Sequence, residues 1–193
     1  VGLTGRVLGI ECNERAIANG QSQMANHENL SCIQGNFAHL PEILVKNNLP
    51  KADGLLLDLG ISSDELEKSG RGFSFNTPDG EDEPLLMTYS DEETPVRELI
   101  RQLNKEELAA IIKQYGEERW ADKIARAIKE RLRKKPIETS GELAEIISQS
   151  LPRNYEHGRI HPATRTFLAL RIYANQELAN LKKILENLEK ILN

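Results

Sequence analysis

The sequence predicts a mixed α/β fold followed by a long all-helical part. Up to about residue 62, short runs rich in leucine and β-branched residues alternate with polar stretches of helix length. Residues 64–95 are rich in Gly, Pro and acidic residues, and from Pro95 onward the apolar residues recur at helical spacing. Continuous apolar runs separated by helices are typical of parallel strands that are buried on both faces by crossover helices.

Three apolar runs are the predicted strands. They span 5–11 (GRVLGIE), 30–35 (LSCIQG) and 54–58 (GLLLD). The polar stretches between them are long enough for crossover helices, so the first part has a Rossmann-like α/β pattern.

The second part is predicted to be helical throughout. Asn104 followed by Glu107, and Thr139 followed by Glu142, each fit a capping box at the start of a helix. Pro162 suits the first position of another helix. The predicted helical segments are 95–103, 104–115, 117–134, 139–150 and 162–192.

Composition limits the classes of protein to consider. The 193 residues are 39% hydrophobic, 28% charged and 5% aromatic, which suits a helix-rich soluble domain, or one domain that carries an insertion. No apolar run approaches the roughly 20 residues that cross a bilayer, so we expect no membrane partner and a cytoplasmic location. The net charge of −5 argues against indiscriminate coating of nucleic acid but allows a local basic patch.

Cysteines and histidines give no sign of a metal site. Cys12 and Cys32 have no CxxC partner, so buried thiols are predicted rather than a disulfide. The four histidines are scattered without ligand spacing, and we therefore predict that no metal is bound.

Two residues at predicted strand ends are candidates for binding an adenosine cofactor, because ligands of open parallel sheets gather beyond the carboxyl ends of the strands. Glu11 ends VLGIE, and a carboxylate there can accept hydrogen bonds from two ribose hydroxyls. The alternative is a solvated acid that starts the next helix. Phe37 can lie against an adenine ring, or it can be an ordinary core phenylalanine.

Asp58 is the third and strongest candidate. It follows a leucine run and precedes a turn of small residues, and burying its carboxylate unpaired would be costly. The sequence therefore favours a ligand-binding role. The alternative is that Asp58 caps the turn through the region of Ser62 and Ser63.

A predicted helix over 117–134 has one apolar and one basic face. The apolar stripe is Trp120, Ile124, Ile128 and Leu132. The residues of the basic face are Arg119, Lys123, Arg126 and Arg133. Such a face can neutralise phosphate groups without reading sequence. The alternative is a solvated surface whose charges pair with Glu118, Asp122 and Glu130.

The stretch HPATRTF is a second candidate for binding phosphate groups. His161 precedes a predicted helix whose first turn holds Thr164 and Arg165, and free backbone N–H groups there favour an anion such as phosphate. Arg165 and Arg171 can add bidentate contacts. The alternative is that Arg165 pairs with a nearby carboxylate.

Three separated motifs resemble one known family. DGLLLDLGISSDEL with RGFSF, YGEERWADKIARAI and HPATRTFLALRIYAN occur in order over nearly the whole chain. They resemble the RsmH family, also called MraW, of S-adenosylmethionine-dependent methyltransferases that act on cytosine in bacterial small-subunit ribosomal RNA. DNA amino-methyltransferases, another class considered, typically carry a Pro-Pro-Tyr type motif where this chain has DLGI.

The resemblance implies a partial Rossmann-like class I methyltransferase core with an inserted all-helical domain. It implies methyl transfer from S-adenosylmethionine to the exocyclic amine of a cytidine. The implied cofactor contacts are Glu11, Phe37, Asp58 and Glu65. Asp58 and the turn at Ser62 and Ser63 are the groups we place beside the amine, with the identity of the base left open.

The chain departs from the family pattern at several positions. Glu11 stands for the usual Asp, Glu65 for a frequent Gln, and Leu168 for the usual Gln. The loop after GFSF reads DGEDEPLLMTYS where the family pattern resembles DGPLDMRMD. We therefore assign no cofactor or substrate role to that loop.

The resemblance also implies segments beyond both ends. A glycine-rich motif would precede residue 1 and an SFHSLEDR-like motif would follow Asn193, so the chain is expected to be truncated at both ends. We expect its strands to pair differently from those of an intact seven-stranded sheet, or to leave an edge that a partner chain fills. An inert binding or assembly module is the alternative function.

The resemblance also predicts how the chain divides into domains and which partners it binds. Residues 1–90 are assigned to the partial core, 91–177 to a helical insertion that binds RNA, and 178–193 to a helix that returns to the core. The expected partners are small-subunit ribosomal RNA or the 30S particle, and a homodimer is left open.

Overall fold

The computed structural model describes residues 1–2, 4–24, 27–63, 66, 69–75, 82–153, 155 and 160–193. The chain divides into two compact units. Unit 1 comprises Val1–Asp58 and Glu177–Asn193, and unit 2 comprises Leu59–Gln176. A small parallel sheet and many helices make this a mixed α/β structure, which confirms the coarse fold prediction.

The described elements follow one another along the chain. They are β1 (Val7–Glu11), α1 (Glu14–Met24), β2 (Leu30–Gln34), a 3-10 turn (Phe37–His39), α2 (Leu40–Lys46), α3 (Val96–Gln102), α4 (Lys105–Gly116), α5 (Ala121–Leu132), α6 (Ser140–Ser150), α7 (Thr164–Ala174), α8 (Glu177–Leu185) and α9 (Leu188–Ile191).

In unit 1, β1 and β2 pair in parallel and α1 connects them, as the alternation of apolar and polar runs predicted. The register runs from Val7 opposite Leu30 to Glu11 opposite Gln34. Both strands therefore end at the same edge, where the Gly35 N–H donates to the Glu11 carbonyl over 2.9 Å. Among the described residues the sheet has two strands, so no seven-stranded sheet is present in that part of the chain.

The predicted third strand over 54–58 is wrong. Leu55 and Leu57 pack on the small core of unit 1, whereas Leu56 is 89% exposed and Asp58 is exposed. The leucine run therefore alternates, with one covered face, and the segment joins no ladder among the described residues. Just before this segment, Ala52 forms an isolated parallel bridge with Leu192.

Unit 2 is a helical bundle around one apolar core. The fully buried residues Leu108, Ile124 and Leu170 place α4, α5 and α7 around that core. Gly116 lets α4 and α7 approach closely, since a Cβ there would lie 2.4 Å from the Arg165 carbonyl oxygen. None of the described helices combines the length and apolar character needed to cross a membrane.

The two predicted capping boxes differ in the structure. The Asn104 side chain accepts from the Glu107 N–H over 2.9 Å, and the Glu107 carboxylate accepts from the Asn104 N–H over 2.8 Å, so this box is confirmed. The Thr139 hydroxyl accepts from the Glu142 N–H over 3.3 Å. The Glu142 carboxylate, however, accepts from the Glu138 N–H, so only half of the second box forms.

The long helix predicted over 162–192 is wrong, because α7, α8 and α9 replace it. The Asn175 side chain binds the backbone of the loop before α3. It accepts from the Tyr89 N–H and donates to the Met87 carbonyl, both over 2.8 Å. Gln176 then adopts a φ of 51°, which ends the helix. Pro162 precedes α7 and does not occupy its first position.

Helix α5 begins later than the sequence indicated. Glu117 has a left-handed φ of 50° and ends α4, so α5 starts at Ala121 and not near residue 117.

Residues 59–90, assigned to the core by the sequence, cluster with unit 2 in the structure.

Candidate functional site

Glu11 lies at the carboxyl edge of the sheet. One carboxylate oxygen, Oε1, accepts from the Asn13 N–H over 2.7 Å, so Glu11 helps the chain leave β1 toward α1. The other oxygen, Oε2, accepts no hydrogen bond from any residue that the structure describes. The carboxylate thus has a local structural role and still keeps acceptor capacity for a hydroxyl group.

Phe37 follows β2 at the same edge. The Asn36 side chain accepts from the Ala38 N–H over 2.9 Å and fixes the 3-10 turn that Phe37 begins. The phenyl ring is half-buried and packs against the unit 1 core, whose buried residues are Leu40, Leu44, Ile184 and Ile191. Phe37 is therefore partly a core residue, as the alternative interpretation proposed.

Three other candidates for the cofactor and the reacting amine, Asp58, Ser62 and Ser63, are exposed. Asp58 is the last residue of unit 1, and Ser62 and Ser63 are near the start of unit 2. The Ser62 carbonyl accepts from the Leu66 N–H over 3.0 Å, which closes one turn after these serines. Glu65 lies outside the described residues.

Several basic residues of unit 2 are neutralised or used to cap a helix. Lys105 pairs with Asp122 at 3.1 Å, and the Glu142 carboxylate pairs with both Arg131 at 3.3 Å and Lys135 at 3.1 Å. The N–H of Glu138 and these cations hold the pKa of Glu142 below its usual value, against the opposing effect of burial.

Lys129 caps the end of α3. Its ammonium donates to the carbonyls of Ile100, Arg101 and Leu103 over 3.0, 3.1 and 2.6 Å. Burial, with nearby Arg133 adding repulsion, lowers the pKa of Lys129. This lysine therefore stabilises the fold, and its ammonium donors are already engaged.

The predicted basic face differs from these paired and capping cations. Its residues are Arg119, Lys123, Arg126 and Arg133. None of these four side chains forms an ion pair with a carboxylate of the described residues. Arg119 and Lys123 instead lie over the indole of Trp120, each 5.7 Å from the ring centroid.

Two of the predicted carboxylate partners are engaged elsewhere. Glu118 is buried, with 1% exposure, and accepts from the Tyr155 hydroxyl and from the Trp120 N–H, the latter over 2.7 Å. Asp122 pairs with Lys105. These two acids therefore do not neutralise the basic face, and Glu130, the third predicted partner, is exposed and forms no ion pair with a described residue.

His161 packs against an aromatic pair and uses its own ring to order the chain. The imidazole lies 4.3 Å from the Phe75 ring centroid, and Phe75 meets Phe167 edge-on at 4.7 Å. His161 Nδ1 accepts from the Ala163 N–H over 3.2 Å. Although the residue as a whole is exposed, desolvation of its ring lowers the pKa of His161 from its usual value.

The start of α7 offers fewer N–H groups than the sequence indicated. The Ala163 N–H is bound to the His161 ring, and the Thr164 N–H donates to the His161 carbonyl over 3.0 Å. Arg165 Nη1 donates to the Glu117 carbonyl over 3.1 Å, so it caps α4. Arg171 is half-buried on α7, and its carbonyl accepts from Asn175.

Sequence reasoning missed two polar residues that organise unit 2. One is Glu118, whose burial no local pattern reveals. The other is Arg71, whose guanidinium donates to the Thr88 carbonyl over 2.6 Å and the Ser90 carbonyl over 2.9 Å and pairs with Asp91 at 2.8 Å. The position of Arg71 in RGFSF was the available signal.

Comparison with known proteins identifies the family. The model of the MraW methylase family matches residues 3–193. The chain belongs to the MraW methylase family.

Curated relatives with one shared name agree. Ribosomal RNA small subunit methyltransferase H of Coprothermobacter proteolyticus is 42% identical over 186 residues, which are 96% of this chain and 60% of that protein. The proteins of the same name from Desulfosudis oleivorans and Clostridium botulinum are 40% and 38% identical, over 94% and 98% of this chain. The chain spans 58% and 60% of the length of those two relatives.

In this MraW family member, the pKa of His161 is expected below 6.5, because its ring is partly desolvated against Phe75. Replacing Phe75 by Ala should raise it toward that value. The free energy of unfolding should fall as the pH drops through about 6.5, since the unfolded chain binds the proton more readily. Titration of the His161 C2 proton by NMR measures the pKa, with His161→Phe assigning the signal. A pKa at or above 6.5 in the unmodified protein would contradict this.

Proposed function

We propose that this chain is part of an S-adenosylmethionine-dependent methyltransferase that modifies the exocyclic amine of a cytidine in small-subunit ribosomal RNA. Membership of the MraW methylase family is the observation that carries the proposal. The shared name of the relatives supports the class of substrate.

The division into units supports the finer fold proposal. Unit 1 is made of two chain segments, and unit 2 occupies the sequence between them. This is the arrangement expected if a helical domain is inserted into a Rossmann-like core. We propose unit 1 for cofactor binding and unit 2 for RNA binding, with the homodimer and the cytoplasmic location kept as predictions.

The residues at the sheet edge suit the adenosyl end of the cofactor. Oε2 of Glu11 has acceptor capacity left after Oε1 binds Asn13, as a hydroxyl ligand requires. Phe37 is half-buried, so part of its ring surface can lie against an adenine. Asp58 and Glu65 complete the proposed set, Asp58 as an exposed carboxylate.

When bound, S-adenosylmethionine supplies an electrophilic methyl group on sulfur. Attack by the cytidine amine forms a bond from nitrogen to carbon while the bond from sulfur to carbon breaks, and the amine loses a proton. The task of the protein is to align the reactants and to accept that proton. We assign hydrogen bonding to the amine to Asp58 and to the hydroxyls of Ser62 and Ser63.

The basic face is the proposed RNA surface. Its four cations lack carboxylate partners among the described residues, whereas Lys105, Arg131 and Lys135 pair with acids and Lys129 caps α3. Cations without partners can neutralise phosphates without first breaking an ion pair. His161, Arg165 and Arg171 remain a second proposed contact, with His161 as a neutral donor through Nε2.

Glu11→Gln should weaken binding of S-adenosylmethionine about tenfold or more, because it replaces a charged acceptor by an amide. The variant retains an oxygen for the Asn13 N–H, so β1 and α1 stay connected. Glu42→Gln, an exposed acid on α2, is the matched control. Isothermal titration of the protein that contains this sequence gives the affinities. Equal affinity for Glu11→Gln and the control would contradict the ribose role, and no binding by the unmodified chain would favour the inert module.

Asp58→Asn should lower kcat for methylation of 30S particles by about 100-fold or more, since the amide cannot accept the proton from the amine. The loss should exceed any change in the affinity for the cofactor. Single-turnover transfer of a radiolabelled methyl group measures the rate, with Asp53→Asn as the matched control on the same segment. Unchanged kcat would remove Asp58 from the reaction.

Arg126→Ala and Arg133→Ala should each weaken RNA binding and each reduce the salt slope of log K by about 0.7, the contribution of one phosphate contact on a single strand. Arg131→Ala is the control, because Glu142 already neutralises that arginine. Fluorescence anisotropy with labelled oligocytidylate at several salt concentrations provides both quantities. A slope that falls as much for the control as for the other two variants would refute the proposed face.

A further inference from the structure

Trp120 brings two cations of the basic face together. Arg119 and Lys123 both lie 5.7 Å from its ring centroid, within the range of about 6 Å over which an aromatic ring attracts a cation. Trp120 precedes α5 directly, and Lys123 lies in the first turn of that helix. A single indole therefore restrains two long side chains that would otherwise sample many rotamers.

An aromatic ring holds a cation differently from a carboxylate. The carboxylate of Glu142 restrains Arg131 and Lys135 but also cancels their charge. The indole carries no net charge, so Arg119 and Lys123 are restrained while their full positive charge stays available to an anion. Restraint without neutralisation lowers the entropic cost of binding a phosphate.

The ring itself is held by the protein. The buried Glu118 carboxylate accepts from the backbone N–H of Trp120 over 2.7 Å and from the Tyr155 hydroxyl. The indole packs against the apolar core of unit 2. Its Nε1 is buried and forms no hydrogen bond with a described residue, so packing and the backbone fix the ring.

We propose that Trp120 is a positioning residue that holds Arg119 and Lys123 ready to bind RNA phosphates. This inference rests on the proposed function, because it assumes that the basic face contacts RNA. The occupant of the site is the sugar–phosphate backbone, and the ring acts on it through the two cations. Direct stacking of a base on the indole is the competing arrangement.

A double-mutant cycle separates these arrangements, because a residue that acts through its neighbours loses its effect when they are removed. Binding of labelled oligocytidylate is measured for Trp120→Leu, for the Arg119→Ala and Lys123→Ala double variant, and for the triple variant. Trp120→Leu alone should weaken binding about fivefold to twentyfold, because two long side chains would then be ordered only when the RNA binds. In the double variant the same change should have no further effect.

A similar loss in both backgrounds would overturn the inference, since it would mean that the ring acts on the RNA directly or only supports the fold. Trp120→Phe should restore part of the affinity lost in Trp120→Leu, because phenylalanine retains a weaker cation–π contact. Failure of Phe to restore any affinity would count against the inference.

The same variants distinguish failure of the inference from failure of the proposed function. If the double variant binds like the unmodified protein, the proposed RNA surface is wrong. If the double variant binds weakly while Trp120→Leu binds normally, the surface stands and the positioning role is wrong. Trp120 is the only tryptophan of the chain, so its emission should change in the double variant without RNA, and unchanged emission would argue against the contact.

Discussion

The buried carboxylate of Glu118 is the interaction on which the arrangement of unit 2 depends. It accepts from the Tyr155 hydroxyl and the Trp120 N–H at the corner where α4 gives way to α5. Removing either donor would leave a buried charge less satisfied, which is far more costly than losing a surface hydrogen bond. The left-handed Glu117 makes the corner, and its carbonyl is capped by Arg165 of α7. One short stretch thus fixes the directions of three helices.

The contacts at this corner also determine which cationic side chains of this acidic protein have no carboxylate partner among the described residues. The chain has 30 Asp and Glu against 25 Lys and Arg, a net charge of −5. Burial of Glu118 and pairing of Asp122 with Lys105 remove two acids from the neighbourhood of the basic face. A surface can therefore attract phosphate although the whole chain is negative, because the local field depends on which carboxylates are within a Debye length and still unpaired.

The sequence predicted what local patterns determine. The Asn104 box, the helical part and the existence of the first two strands follow from spacing within a few residues. It failed where distant residues decide. The run 54–58 reads as a buried strand, but no described strand pairs with it, and the helix through 175 ends because Asn175 binds a loop some 86 residues away in sequence. Glu118 and Tyr155 meet across 37 residues, so the spacing of YGEERW could not reveal that contact.

A candidate residue can have a structural and a functional role at once, because different atoms of its side chain make the two kinds of contact. Glu11 uses one oxygen to guide the chain into α1, and that bond orients the carboxylate while the second oxygen stays available. Phe37 likewise packs one part of its ring on the core, which holds the rest at the edge of the sheet. A ligand gains from such side chains because their orientation is already established by folding, and the entropy of ordering them is not lost again on binding. A structural contact at these positions is therefore a reason to expect function and does not argue against it.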